Sequence, residues 1–191
     1  MQELKDRICK EGRVLPGSII KVDGFLNHKI DMGLMRRMAQ ELVKSFDLTG
    51  VTAVLTVEAS GIALGSMVAD TLGVPLIFAK KAKSDNIEGG LLKSEIYSYT
   101  YKKKVTLMVS SNWLTSNDKV FIVDDFLANG EALKGLAEIC TSCGAEILGV
   151  GIAIEKGFQD GGKNLREKGF KIRSLAIIDH ADENGIVFRE E

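Results

Sequence analysis

The segment VFIVDDFLANGEAL, residues 120–133, decides the fold of this chain. Its first four residues are apolar and predict a strand buried inside a sheet. Asp124 and Asp125 follow at the expected end of that strand, and a short loop with Gly130 then opens a helical pattern. In parallel sheets, ligands bind at the carboxyl ends of the strands. The segment therefore predicts a ligand site built on two carboxylates and a helix start.

Apolar runs and helical patterns alternate along most of the chain. The predicted strands cover 51–57, 75–79, 120–123, 147–154 and 172–178. The predicted helices follow a cap at Asp31, run from a cap at Ser60 to Gly73, run from 130 to 143, and cover about 163–168. Such alternation is typical of an α/β fold, in which a parallel core sheet is flanked by helices. The length of 191 residues suits a single domain, residues 1–191.

Composition and charge exclude several classes of protein. Apolar residues make up 45% and charged residues 27%, as in an ordinary globular protein, and the formal charge of −1 argues against a dedicated nucleic-acid binder. No apolar stretch approaches the ~20 residues that a membrane helix needs. The charged start of the chain is not a secretory signal, so we expect a cytoplasmic protein. Cys140 and Cys143 form a C-x-x-C. We interpret them as small apolar residues at a helix end in preference to a metal-binding or redox-active pair.

The loop after the predicted 120–123 strand has the chemistry of a phosphate site. A helix N-terminus offers unpaired N–H groups and a positive dipole end, so residues 128–132 can wrap a 5′-monophosphate. Asp124 and Asp125 can then accept hydrogen bonds from ribose hydroxyls, and can stabilise positive charge on the ring directly or through metal-bound water. The alternative is a plain strand-to-helix turn in which one aspartate is a cap.

These residues resemble the phosphoribosyl pyrophosphate (PRPP) signature of the type I phosphoribosyltransferases, and the resemblance implies that family's fold and a purine substrate. It implies that Asp124 and Asp125 are the catalytic residues at the ribose. It implies that the 5′-phosphate is held by Ala128, Asn129, Gly130, Glu131 and Ala132. Ala128 stands where hypoxanthine and guanine members usually have Asp, which favours the adenine and xanthine branch. Asn129 replaces the usual Thr, and Glu131 must point away from the phosphate.

A second loop resembles the pyrophosphate loop of the adenine-type members. It consists of Glu58, Ala59, Ser60 and Gly61, which follow one predicted strand and open a helix. Lys81, with Lys80 and Lys83, heads a stretch at 80–104 that we predict to be a mobile loop leading into an antiparallel pair of strands. These lysines can neutralise pyrophosphate when the loop closes, or they form a solvated surface.

The base site is implied by two further resemblances. Residues 19–31 are similar to the base-binding hood segment of the xanthine-specific members, which places Ile20 and Asn27 against the purine and a small hood at about residues 1–30. Lys156, just after the 147–154 strand, matches the family's base-contacting lysine and can donate to a 6-oxo group. Lys156 argues against adenine, and Asn27 favours a base with a 2-oxo group.

The resemblance therefore implies transfer of the 5-phosphoribosyl group from PRPP to xanthine, giving xanthosine 5′-monophosphate and pyrophosphate in purine salvage. It also implies Mg²⁺ held mainly by the substrate, with no ligands assigned to the protein, and a homodimer that binds neither nucleic acid nor membrane. Two alternatives stay open. One is an enzyme for guanine or hypoxanthine, and less so adenine; the other is a non-catalytic regulator that senses PRPP.

Overall fold

A computed structural model describes residues 1–81, 90–98, 103–183 and 185–190. The chain begins with helix α1 (Gln2–Glu11), strands β1 (Arg13–Leu15) and β2 (Ile19–Lys21), a π-helical turn (Asp23–Asn27) and helix α2 (Met32–Lys44). The central elements are β3 (Ala53–Val57), α3 (Gly61–Leu72), β4 (Leu76–Ala79), β5 (Leu91–Ser98) and β6 (Lys103–Ser110). The last elements are β7 (Lys119–Leu127), α4 (Glu131–Cys143), β8 (Glu146–Lys156), α5 (Gly161–Glu167), β9 (Ile172–Asp182) and β10 (Gly185–Phe188).

A six-stranded sheet runs through the centre of the molecule in the order β10-β9-β8-β7-β3-β4. All neighbours in it are parallel except β10, which pairs antiparallel with β9 at one edge. The carboxyl ends of β3, β7 and β8 therefore meet at one edge of the sheet. The predicted α/β fold with a parallel core sheet is confirmed, and the loops that follow these three strands are brought together.

Helices cover both faces of the sheet because the side chains of each strand alternate between two apolar cores. Val54 and Phe121 belong to one core with apolar residues of α1, α2 and α3. Leu55 and Ile122 belong to the other core with residues of α4, Leu165 of α5 and the β5–β6 hairpin. The buried strand pattern predicted from continuous apolar runs follows from this double cover.

Helix boundaries were predicted with mixed success. Asp31 caps α2 as expected, since its Oδ1 accepts a hydrogen bond from the Leu34 backbone N–H at 3.0 Å. Gly73 and Gly144 end α3 and α4 in the left-handed conformation, also as expected. The Ser60 cap is wrong: the Ser60 backbone is already helical and its side chain makes no capping bond, whereas a capping residue is normally extended.

Two small antiparallel hairpins stand outside the central sheet. The β1–β2 hairpin contacts β9, and together with α1 and the π-helical turn it covers the residues at which the small hood is predicted. The β5–β6 hairpin confirms the predicted antiparallel pair, although β5 already occupies residues 91–98 of the predicted loop. Lys83 and the rest of 82–89 and 99–102, which the mobile-loop prediction included, lie outside the described residues. That residues 1–191 form one domain stays a prediction.

None of the helices within the described ranges is long and apolar enough to cross a membrane.

Candidate active site

The two predicted catalytic aspartates lie inside strand β7 and not after it. The predicted strand end at Val123 is wrong because β7 continues to pair with β8 as far as Leu127. Asp124 and Asp125 are only 9% and 6% exposed. Adjacent strand residues point to opposite faces of a sheet, so the two side chains leave β7 in different directions and have different neighbours.

Asp124 faces the start of α3. A Cβ atom on Gly61 would lie 2.8 Å from Asp124 Oδ1 and 2.3 Å from Thr56 Oγ1, so only glycine lets the helix start come this close. Asp124 Oδ1 also accepts a hydrogen bond of 2.9 Å from the Asp125 backbone N–H. Burial, and then the neighbouring Asp125 carboxylate, raises the pKa of Asp124 well above its usual range. Such a carboxyl is stabilised in its charged form by a cation or by hydroxyl donors.

The predicted phosphate loop joins β7 to α4 and borders a cavity. Gly130 is in the left-handed conformation with φ 80°, and its carbonyl accepts the Lys134 N–H at 2.9 Å as α4 begins. The residues that line this cavity include Lys81, Asp124, Ala128, Asn129, Gly130, Glu131 and Ala132. The structure thus brings one predicted catalytic aspartate, the predicted phosphate loop and the predicted pyrophosphate lysine to one cavity.

Glu131, the acidic residue of the predicted phosphate loop, is bound by a lysine one turn further along α4. Its Oε1 accepts a hydrogen bond of 2.6 Å from Lys134 Nζ. This ion pair balances the negative charge of Glu131 and ties its carboxylate to the first turn of α4.

The predicted pyrophosphate loop lies at the end of β3, beside Asp124. Glu58 Oε1 accepts a hydrogen bond of 2.6 Å from the Lys81 backbone N–H, which ties the end of β4 to the end of β3. The Glu58–Ala59 peptide bond is cis. Ser60 and Gly61 follow at the start of α3. The carboxylate of Glu58 therefore fixes the main chain at Lys81.

The predicted base residues lie between the sheet and the hood. Asn27 Nδ2 donates a hydrogen bond of 3.2 Å to Asp125 Oδ2, and Lys156 Nζ donates one of 3.4 Å to the Ser18 carbonyl. Lys156 is half-buried, and this burial lowers the pKa of its ammonium group. Ile20 is 7% exposed and its side chain packs in a core, which leaves mainly its backbone for a purine.

Sequence reasoning missed a cluster of Glu155, Arg166 and Ser174 beside the predicted phosphate loop. Glu155 is 2% exposed, and its carboxylate accepts hydrogen bonds from Arg166 and Ser174. Its position directly before Lys156, at the end of a core strand, was the available signal. Across the parts of the chain that the structure describes, no three Asp, Glu, His or Cys side chains come together to hold a metal ion.

The chain is similar to known proteins along its whole length. Residues 22–184 match the phosphoribosyl transferase domain. The chain is 50% identical to a xanthine phosphoribosyltransferase from Ruminiclostridium cellulolyticum over 190 residues, which cover 100% of both proteins. It is 52% identical over 188 residues to a xanthine phosphoribosyltransferase from Heliobacterium modesticaldum, covering 98% of this chain and 100% of that protein.

Solved structures support the fold alone. The crystal structure of an APRTase from Giardia lamblia complexed with 9-deazaadenine is 24% identical, with a TM-score of 0.77, and covers 93% of this chain and 98% of that chain. An adenine phosphoribosyltransferase from Thermoanaerobacter pseudethanolicus is 23% identical, with a TM-score of 0.73, and covers 92% of this chain and 98% of that one.

Proposed function

The chain belongs to the phosphoribosyltransferase family, and on that premise we propose that it transfers the 5-phosphoribosyl group of PRPP to xanthine. The products are xanthosine 5′-monophosphate and pyrophosphate, in a purine-salvage reaction. The observation that carries the proposal is the cavity in which Asp124, Lys81 and the 128–132 loop meet. Relatives about 50% identical over their full length, named xanthine phosphoribosyltransferases, support the choice of base.

The phosphate loop and the aspartates bind the ribose 5-phosphate half of PRPP. The main-chain amides of 128–132 hold the 5′-phosphate at the start of α4, where helix N–H groups have no intrahelical partner. Asp124 and Asp125 accept hydrogen bonds from the ribose hydroxyls. The buried Asp124 carboxylate then stabilises the positive charge that develops on the ring.

The pyrophosphate half lies against the 58–61 loop and Lys81. The close approach of Gly61 to Asp124 supports this placement, because it puts the start of α3 beside the carboxylate that faces the ribose. The bond from C1 of the ribose to the pyrophosphate oxygen breaks, and pyrophosphate leaves with the electron pair. A nitrogen of the base forms the new bond to C1 and its proton passes to solvent, so positioning and electrostatics carry the reaction without a general base on the protein.

The base lies between the hood and Lys156. The ammonium group of Lys156 donates to the 6-oxo group, and the carboxamide of Asn27 donates to the 2-oxo group. Burial lowers the pKa of Lys156, so an acidic base that carries negative charge stabilises its ammonium form. Xanthine is more acidic than hypoxanthine and guanine, which favours it in this position.

The residues of the site fit Mg²⁺ bound mainly through the substrate. Mg²⁺ is commonly held by one or two carboxylates together with substrate phosphates and waters, and Asp124 and Asp125 supply two carboxylates at the ribose position. When bound, the ion offsets the charge of the leaving pyrophosphate. A homodimer and a cytoplasmic location complete the proposal; light scattering after gel filtration measures the mass of the assembly.

The test is pyrophosphate release with Mg²⁺ and PRPP, with xanthine, guanine, hypoxanthine and adenine supplied one at a time. We expect release to be fastest with xanthine. Fastest release with another purine would overturn the choice of base and keep the reaction class. PRPP binding without release from any purine would favour the regulator and contradict catalysis.

A further inference from the structure

We infer that a cluster of Glu155, Arg166 and Ser174 positions the phosphate loop from the side of β8 and β9; Glu155 and Ser174 are buried, and Arg166 is partly exposed. The inference rests on the proposed function, because it assigns the 5′-phosphate of PRPP to the 128–132 loop. None of the three side chains is proposed to touch substrate. They act as positioning residues through α5, which packs against the loop.

The cluster fixes one carboxylate with directional bonds. Arg166 donates from Nη1 to Glu155 Oε1 and from Nη2 to Glu155 Oε2, both at 2.7 Å, and Ser174 Oγ donates to Oε2. A two-pronged pair of this kind sets orientation as well as distance. Burial alone would raise the pKa of Glu155, but the bonds from Arg166 and Ser174 hold it below its usual range. The carboxylate is therefore charged at neutral pH and holds the guanidinium in place.

Strand pairing places the cluster directly beside the phosphate loop. Glu155 is the register partner of Leu127, the last residue of β7 before the loop begins at Ala128. Arg166 lies in the last turn of α5, and Ser174 lies on β9. The carboxylate thus joins three elements at the point where β7 ends.

Helix α5 transmits the position of the cluster to the loop through glycine contacts. A Cβ on Gly162 would lie 2.0 Å from Glu155 Oε1. A Cβ on Gly161 would lie 2.1 Å from the Ala128 carbonyl oxygen and 2.7 Å from the Gly130 nitrogen. A Cβ on Gly130 would in turn lie 2.6 Å from Leu165 Cδ1. The start of α5 is packed between the carboxylate and the loop backbone with no room for a methyl group, so a shift of α5 has to move the loop.

Such an arrangement has a use at a site that works by positioning. The loop amides must point at the phosphate oxygens, and misplacements of about 1 Å in well-oriented sites cost as much as 100-fold. Ion pairs that are only structural can often be replaced by apolar residues without loss of stability. The directional bonds of the cluster therefore matter for the geometry that they impose on α5, and less for stability.

The experiment compares two ligands, each of which corresponds to one half of PRPP. Ribose 5-phosphate needs the 128–132 loop, whereas inorganic pyrophosphate needs the 58–61 loop. Arg166→Lys keeps a positive charge beside Glu155 but loses the two-pronged geometry. By calorimetry with Mg²⁺, we expect this variant to raise the Kd for ribose 5-phosphate about tenfold and to change the Kd for pyrophosphate less than twofold.

Three further variants keep the test decisive. Ser174→Ala leaves the ion pair in place and is expected to raise the Kd for ribose 5-phosphate about threefold, so it serves if Arg166→Lys does not fold. Gly161→Ala pushes on the loop directly and should give the pattern of Arg166→Lys with the cluster intact. Arg37→Lys is the matched control, because Arg37 makes a similar two-pronged pair with Glu3 on the surface of α1 and α2.

Equal weakening of both ligands in Arg166→Lys and Ser174→Ala would show a general structural role and overturn the inference. Unchanged affinity for ribose 5-phosphate would overturn it as well. If the unaltered chain binds neither PRPP nor ribose 5-phosphate, the proposed function fails and the inference fails with it. If the unaltered chain binds PRPP but the variants leave the Kd for ribose 5-phosphate unchanged, the inference is wrong and the proposed function stands.

Discussion

Asn27 of the hood donates a hydrogen bond of 3.2 Å from Nδ2 to Oδ2 of Asp125 in the central sheet. The proposed base residue is thereby attached to a proposed ribose residue. A ligand that engages Asp125 changes the partner available to the carboxamide of Asn27. Binding of PRPP and binding of the base should therefore be coupled through this pair.

Replacement of Asn27 by Asp tests that contact. Asn27→Asp exchanges the donor of the hydrogen bond for a second negative charge, which repels the Asp125 carboxylate and the anionic PRPP. We expect PRPP to bind less tightly than in the unaltered chain, with a smaller difference when KCl screens the charges. Titration of PRPP at low and high salt measures the effect.

The control for this substitution is Asn117→Asp, at an exposed position before the amino end of β7. It adds the same charge far from the cavity and should leave PRPP affinity unchanged at both salt concentrations. An equal loss of PRPP affinity in Asn117→Asp, or no loss in Asn27→Asp, would contradict a role of the contact between Asn27 and Asp125 in PRPP binding.

The ionised carboxylate of Asp124 should lower the free energy of unfolding, although turnover depends on it. Burial and Asp125 raise its pKa, so the folded chain binds the Asp124 proton more tightly than the unfolded chain does. Stability from this group is present below the ordinary carboxyl pKa and is lost as the pH rises through the raised value. Asp124→Asn, which stays neutral, should increase the free energy of unfolding at pH 8 more than at pH 4, and should lower turnover by about 100-fold.

Asp118 provides the contrasting variant. Burial opposes its ionisation, but hydrogen bonds from Thr115 and Thr52 hold the pKa of Asp118 below its usual range. Asp118→Asn should therefore decrease the free energy of unfolding at neutral pH and leave turnover unchanged. Urea unfolding at several pH values, with turnover measured in parallel, separates the two aspartates. A destabilised Asp124→Asn would contradict the proposed cost of burial.

Lys156 should act on the base and not on PRPP. Lys156→Met keeps most of the aliphatic stem and removes the ammonium group that is proposed to bind the 6-oxo oxygen. We expect the KM for xanthine to rise about tenfold or more, since a charged hydrogen bond is worth roughly 1.5–3 kcal/mol, with the KM for PRPP little changed. Lys44→Met, at an exposed position in the last turn of α2, is the control. A rise confined to the KM for PRPP would place Lys156 at the other substrate.

Local signals explain what the sequence could predict. The Asp31 cap, the left-handed Gly73 and Gly144, and the glycine at the start of α4 each depend on a few neighbouring residues. The end of β7 could not be predicted from neighbouring residues. Aspartate is rare inside strands, so the pair at 124 and 125 indicated a strand end, although pairing with β8 extends the strand through it.

Contacts between distant segments explain what the sequence missed. Glu155 meets Arg166 across a turn and Ser174 across a parallel strand pair, and no local pattern encodes either contact. The burial of Ile20 depends on the packing of a three-residue strand, which hydrophobic periodicity cannot resolve. In both cases, tertiary packing decides where the side chain lies.

The ion pair between Glu131 and Lys134 should protect the phosphate loop from its own negative charge. Lys134→Met leaves the Glu131 carboxylate without this partner beside the proposed 5′-phosphate. Both side chains are partly exposed, so we expect a modest loss of PRPP affinity, about fivefold, that shrinks as KCl is added and screens the repulsion.

The double variant Glu131→Gln with Lys134→Met removes the unbalanced charge and should restore PRPP affinity to within about twofold of the unaltered chain. Lys119→Met is the matched control, because Lys119 makes a comparable pair of 2.9 Å with Glu146 at the amino ends of β7 and β8. Calorimetric titration of PRPP at low and high salt gives all the values needed. If the double variant binds PRPP no better than Lys134→Met, then Lys134 binds the phosphate itself. Neutralisation of the Glu131 carboxylate is then the smaller effect.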